Sequence, residues 1–199
     1  MLTARSSAEA HLYMDLHACE CGSGDFERRH RLEQQGDEIV SVYEGACQQC
    51  GTTRRFTFRT AAEIPPPLPA FGGSQPSQII DPGEFADVAF RISESVGVEL
   101  LHTPESEHHK LRNAVAYALA AFEEIPKFIP AGEDAVPESA FTSEAGRARY
   151  RREPRKFERG VLDMNIRRTR AVLAGIDEAG GADGADGADE GRGGAAPDA

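Results

Sequence analysis

All four cysteines of the chain fall between residues 19 and 50, as Cys19-Glu-Cys21-Gly22 and Cys47-Gln-Gln-Cys50-Gly51. No other feature restricts the fold as much. Each pair is followed by glycine, which lacks a Cβ and lets the backbone turn sharply. Backbone amides in such a turn can point at a thiolate and offset its charge. The residues between the pairs, 22–46, have the length of two strands and a turn, so a hairpin would carry both pairs to one place. In a reducing compartment, paired cysteines are more often metal ligands or redox groups than structural disulfides.

The surrounding sequence supplies that hairpin. Residues 11–60 read as short strands joined by turns. In 26–34, Phe26, Arg28, His30 and Leu32 share one face, and Glu27, Arg29, Arg31 and Glu33 the other. The Gln-Gly-Asp-Glu run at 35–38 is a turn, with Gly36 free to take a positive φ. Residues 39–46 are rich in β-branched and aromatic side chains. Residues 53–59 alternate again, with Phe56 and Phe58 on one side.

Knuckle, hairpin, knuckle, strand: in this order residues 11–60 resemble a zinc ribbon. The resemblance implies a closed structural Zn²⁺ site held by Cys19, Cys21, Cys47 and Cys50. It covers about the first quarter of the chain and assigns no function by itself. The first pair is Cys-x-Cys where Cys-x-x-Cys is commoner, and the spacer is longer than the usual one. Other readings of the same residues are four reduced, unligated thiols, a redox pair at Cys47 and Cys50, iron in place of zinc, and His17 replacing one cysteine. A closed four-thiolate shell leaves no position for an activated water, so a bound ion would be structural. Such sites contribute roughly 10–16 kcal/mol in small peptides, more than a small β unit has from its own core.

Beyond the cysteines the period changes. Residues 64–78 hold a run of prolines and two glycines and read as a linker. Asp81, Pro82 and Glu84 then form a helix start: N-cap, N1 and N3. Phe85, Val88, Ala89, Ile92 and Val96 follow at helical spacing. Thr103 and Pro104 read as the start of a second helix, with Leu111, Val115, Leu119 and Phe122 as its buried stripe and Pro126 as its end. A short helix is expected near 143–152. A last one opens at Pro154, with Leu162, Ile166, Leu173 and Ile176 on one stripe. From 179 the chain is mostly Gly, Ala and Asp, with no aliphatic side chain larger than Ala and no aromatic, which predicts a solvated tail.

Charge and motifs narrow the function classes. The net charge of −11 opposes general binding to phosphate backbones. The exception is 147–170, where ten basic residues meet three acidic ones. Arginines there, with Tyr150 and Phe157 between them, suit either an acidic partner or the acidic helices of the chain itself. With Arg28, Arg29, Arg31, Arg54 and Arg55 they make a nucleic-acid-associated protein one alternative. Glu105, Glu107, His108 and His109 make a small metalloenzyme another; a solvated first helical turn explains the same residues. No phosphate loop, nucleophile elbow or HExxH is present, and an enzyme is the less favoured expectation. No run approaches the roughly 20 apolar residues of a membrane span. The N-terminus shows no uninterrupted apolar signal segment, so a cytoplasmic location is expected.

The expectation is therefore an α+β chain: a zinc-ribbon-like β domain over 1–62, a Pro/Gly linker over 63–78, a bundle of three or four helices over 79–178, and a disordered tail over 179–199. Its expected work is binding a protein partner, in a regulatory, adaptor or immunity-type role. The sequence does not state its oligomeric state.

Overall fold

The structure is a computed structural model that describes residues 1–60, 67 and 69–183. It is α+β, with one four-stranded sheet and five α-helices. The sheet runs β1 (Leu2–Ala4), β4 (Thr53–Thr60), β3 (Glu38–Ala46), β2 (Arg29–Gln35) in spatial order. β2, β3 and β4 form an antiparallel meander, and β1 joins β4 in parallel. Gly36 carries φ of 64° in the tight turn between β2 and β3. A side chain is strained there, which is why glycine sits at that turn.

Register sets two different sheet faces. Tyr43 lies opposite Phe56, and Ser41 opposite Phe58, so these aromatics share the inner face with His30. On the outer face Val40 and Val42 are fully buried, although their neighbours are charged. Arg31 pairs with Glu33 and Glu44, and Arg55 with the same two carboxylates.

Residues 7–16, whose second half the sequence reads as strand, are instead helix α1 (Ser7–Leu16). Ser6 caps it by accepting from the Glu9 N–H at 3.0 Å. The Ser6-x-x-Glu9 pattern is the signal of a helix start, and the Ala, Glu, Leu and Met that follow favour its continuation. α1 crosses the inner face of the sheet. Ala10 and Met14 pack with Phe26, Tyr43 and Phe58, while Leu12 points to the helical side.

The helical side comprises α2 (Pro82–His102), α3 (Arg112–Glu124), α4 (Glu144–Arg152) and α5 (Arg159–Asp183). Its core is built on Phe71, Phe85, Phe122, Ile125, Phe157 and Leu162. The start of α2 is a full capping box: Asp81 accepts from Gly83 and Glu84, and Glu84 accepts from the Asp81 N–H at 2.9 Å. Asp81 also accepts from Thr142 and Ser143, which ties α2 to the N-cap of α4. Gly83 and Gly146 face each other there, and a Cβ on either would strike the other's backbone or the Asp81 carboxylate.

Several boundaries differ from expectation, among them the start of α5, which opens at Arg159 after a separate 3-10 turn over Pro154–Phe157. Thr103 closes α2 as its C-cap instead of opening a helix, and Glu105–Leu111 is a 3-10 segment with no side-chain cap. Pro104 forces this: its ring ends α2, and the residue before it is held extended. α5 continues through 179–183, which the composition assigns to the tail. A helix already formed grows by adding one bond per residue, without a new nucleus. The rest of the expected tail, 184–199, lies outside the described residues. Of the Pro/Gly linker, 63–66 and 68 also lie outside them. The part that follows is packed: Phe71 is fully buried, its carbonyl accepts from Ser6 at 2.6 Å, and Ile80 is in the core.

A buried ionic cluster joins the sheet side to the helical side. Arg5, just after β1, donates to Glu9 at 2.6 Å and to Glu124 of α3 at 2.8 Å. Glu124 also takes Lys127 at 2.6 Å, and Lys127 reaches the Gly73 carbonyl at 2.7 Å. Glu9 and Glu124 are almost without solvent contact. Two carboxylates and two cations therefore neutralise one another, as buried charges require.

Candidate metal centre

The knuckles form at the two ends of the hairpin, as their sequence spacing implies. In the first, Gly22 donates to the Cys19 carbonyl at 2.7 Å and Cys19 to the Ser23 carbonyl at 2.8 Å. In the second, Gly51 donates to the Cys47 carbonyl and Cys47 to the Thr52 carbonyl, both at 2.9 Å. Gly22 and Gly51 have φ of 87° and 74°. A backbone that closes so tightly needs this left-handed conformation, which only glycine takes freely.

The four sulfurs converge. Cys19 Sγ lies 3.6 Å from Cys50 Sγ, Cys21 Sγ lies 3.7 Å from Cys47 Sγ, and all four fall within 4.8 Å of one another. A disulfide would require about 2.05 Å, and all four are free thiols. Four sulfurs at about 2.3 Å from a tetrahedral ion stand about 3.8 Å apart along each edge. The two short pairs match that edge, and the longest separation closes to it by a small contraction. The residues present therefore fit a four-coordinate ion. Among the described residues this is the one cluster of metal-ligating side chains so close together.

The electrostatics prepare thiolates unevenly. Thr52, through its hydroxyl and its backbone N–H, holds the Cys50 thiol down to about 6, and the neighbouring Cys21 and Cys19 sulfurs add to this. The Cys50 and Gln49 amides lower Cys47 in the same sense. At Cys21 the Ser23 amide pulls down, but the three surrounding sulfurs and partial burial together push it up to about 11. Cys47 is buried, Cys19 half-buried, and Cys21 and Cys50 exposed, so the site opens to solvent on one side.

Two residues that the sequence does not connect with the cysteines hold the site together. Arg54 of β4 is nearly buried. It donates to the His17 carbonyl, and to the Gly24 carbonyl at 3.2 Å, bracketing the first knuckle. Its guanidinium lies over Phe26 and Phe56, 4.6 and 5.0 Å from the ring centres. Gly45 of β3 lets the Glu27 backbone come so close that any Cβ would strike its carbonyl. That contact carries Phe26 to its bridge with Cys47. Only the fold brings Phe26 and Phe56 together under the Arg54 guanidinium.

The other candidate residues do not gather. His17 stacks on Tyr13 and its Nδ1 contacts the Tyr13 carbonyl at 2.8 Å. His108 contacts the Thr103 carbonyl and His109 the Ser106 carbonyl, each at 2.9 Å, and Glu107 pairs with Lys110. The Glu105 side chain lies outside the description. Of the arginines proposed for nucleic acid, Arg28 pairs with Asp15, Arg29 with Glu27, and Arg31 and Arg55 with Glu33 and Glu44. Arg54 is internal. In the basic block, Arg149 pairs with Asp87 and Glu153, Lys156 with Glu153, and Arg170 with Glu123. No helix among the described residues is long and apolar enough to cross a membrane. Compared with known proteins, the chain matches no protein-family model, no curated protein and no solved structure.

Proposed function

We propose that Cys19, Cys21, Cys47 and Cys50 hold one structural Zn²⁺ in the manner of a zinc ribbon. On this reading the chain is a cytoplasmic protein-interaction module, regulatory, adaptor or immunity-type, that engages a protein partner. The observation that carries the reading is the convergence of four free thiols, from both ends of one hairpin, to within 4.8 Å. Zinc is the natural occupant because tetrahedral thiolate coordination is its usual structural environment. A filled shell has no place for a reacting water, which favours binding over catalysis. The surface offered to a partner is the β2 edge, whose outer side pairs with no strand among the described residues. Leu32 and Ile39 flank the adjoining turn, each 64% exposed. An extended segment of a partner protein can add a strand to such an edge and cover these side chains.

The metal is tested by elemental analysis of protein purified without added metal. About one zinc per chain is expected, with loss of tight binding in Cys47→Ser. Iron at the same stoichiometry, or zinc retained in that variant, overturns the assignment. The partner is tested by capture from the native host with wild-type protein and with Leu32→Lys/Ile39→Lys. A specific partner lost in the double variant is expected. Equal capture by both overturns the edge as the docking surface.

A further inference from the structure

One cavity among the described residues has no connection to the cysteines. It holds about 670 Å³ between α2, α3 and α5. That volume lies within the roughly 300–1,000 Å³ range of small-molecule sites. Its floor is apolar, with Phe90 and Val96 from α2, Val115 and Phe122 from α3, and Val172 from α5. Three polar observations give it a direction. Ser93 lines the cavity, and its Oγ is shielded from solvent with no hydrogen-bond partner. On the α5 rim Arg168 and Asn165 stand one turn apart with Thr169, and Arg168 forms no ion pair among the described residues. The one carboxylate of the lining, Glu94, is on the opposite α2 rim.

We propose that this cavity binds a single-chain aliphatic carboxylate. The chain lies on the Phe90, Val115, Phe122 and Val172 floor, where burial of methylene groups drives binding. The carboxylate sits on the α5 side, where Arg168 and the Asn165 amide donate to it. Glu94 repels the head group from the α2 side and so sets its orientation. A partner helix is a poorer match, because protein interfaces bury far more surface than a cleft of this size offers.

Calorimetric titration of the full chain with sodium dodecanoate tests this, beside dodecanol and dodecyltrimethylammonium. Saturable binding of one dodecanoate per chain is expected, stronger than for either control. Arg168→Gln should weaken it about tenfold or more, as loss of a charge-assisted contact does. Gly97→Phe should abolish it. A Cβ at Gly97 meets nothing within 4 Å, so the new ring can enter the cavity without displacing the fold, and circular dichroism melting of the variant confirms this. The proposal is overturned by any of four results: no saturable binding, equal affinity for the uncharged or cationic amphiphile, unchanged affinity in Arg168→Gln, or binding that survives in Gly97→Phe. A concentration-dependent dimer in sedimentation, dissolved by Gly97→Phe, would make a second copy of the chain the occupant and overturn it equally.

Discussion

Arg54 carries a full charge at a nearly buried position, and its surroundings account for it. Two carbonyls of the first knuckle accept from its guanidinium and two aromatic rings flank it. Burial strengthens such cation–π contacts, since water no longer competes. Arg54 touches none of the four sulfurs in this arrangement, so it acts through the loop that carries Cys19 and Cys21. Arg54→Met would keep the ligands and much of the apolar packing while freeing that loop. Outer-shell changes of this kind weaken metal binding about 10–100-fold. Competition with a chelator should show that loss, and Arg54→Lys should recover only part of the affinity, because an ammonium cannot reproduce the planar fork.

Two acids at the start of α2 do different work. Asp81 accepts four backbone N–H bonds, two from its own helix and two from the chain entering α4. Asp81→Ala removes the cap and leaves buried donors unmet. The expected loss is about 2–4 kcal/mol in urea unfolding, more than an ordinary cap alone. Glu84 completes the capping box but is buried, and burial raises its carboxyl above the usual range although the Asp81 N–H pulls the other way. A raised acid stabilises the fold only while it is protonated. Its contribution is fully present below the unfolded value, about 4.3, and is lost as pH rises through the higher folded value. Glu84→Gln keeps an acceptor for the Asp81 N–H and has no charge to bury. The variant should therefore melt higher than wild type at pH 7, with the gain vanishing as pH falls below about 4.

Across the whole molecule, α1 belongs to two cores at once, with Met14 on the sheet and Leu12 among the helices. The Arg5–Glu9–Glu124–Lys127 cluster binds the same two sides through charge. Gly72 leaves room for the Arg5 guanidinium, which a Cβ there would strike. Arg5→Met strands two buried carboxylates with one remaining cation, and a loss of about 3–5 kcal/mol is expected from denaturant titration. Because the cluster spans both sides, fluorescence of the tyrosines and far-ultraviolet dichroism should report one coincident transition in wild-type protein. On the proposed metal reading, a chelator should lower the melting temperature of that whole transition. Separate transitions for sheet and helices would show that the shared core does not couple them.

Much of the chain was legible as sequence because its signals are local. Cys-x-Cys-Gly and Cys-x-x-Cys-Gly specify their own turns, Gly36 marks the hairpin, and Asp81-Pro82-x-Glu84 writes a capping box within four residues. Alternation placed Phe56 and Phe58 on one face, and helical spacing placed Phe85, Val88 and Phe122 inside. The α1 helix is also written locally, in Ser6, Glu9 and the helix formers after them. What no window of sequence contains is the meeting of distant groups. Arg5 finds Glu124, Phe71 enters the helical core, Gly45 admits Glu27, and Arg54 turns inward while its neighbour Arg55 pairs with surface carboxylates. An arginine reads the same whether its partner is water, a carboxylate or an aromatic ring. Its role is set by what the rest of the chain brings within a few ångströms, and only packing in three dimensions decides that.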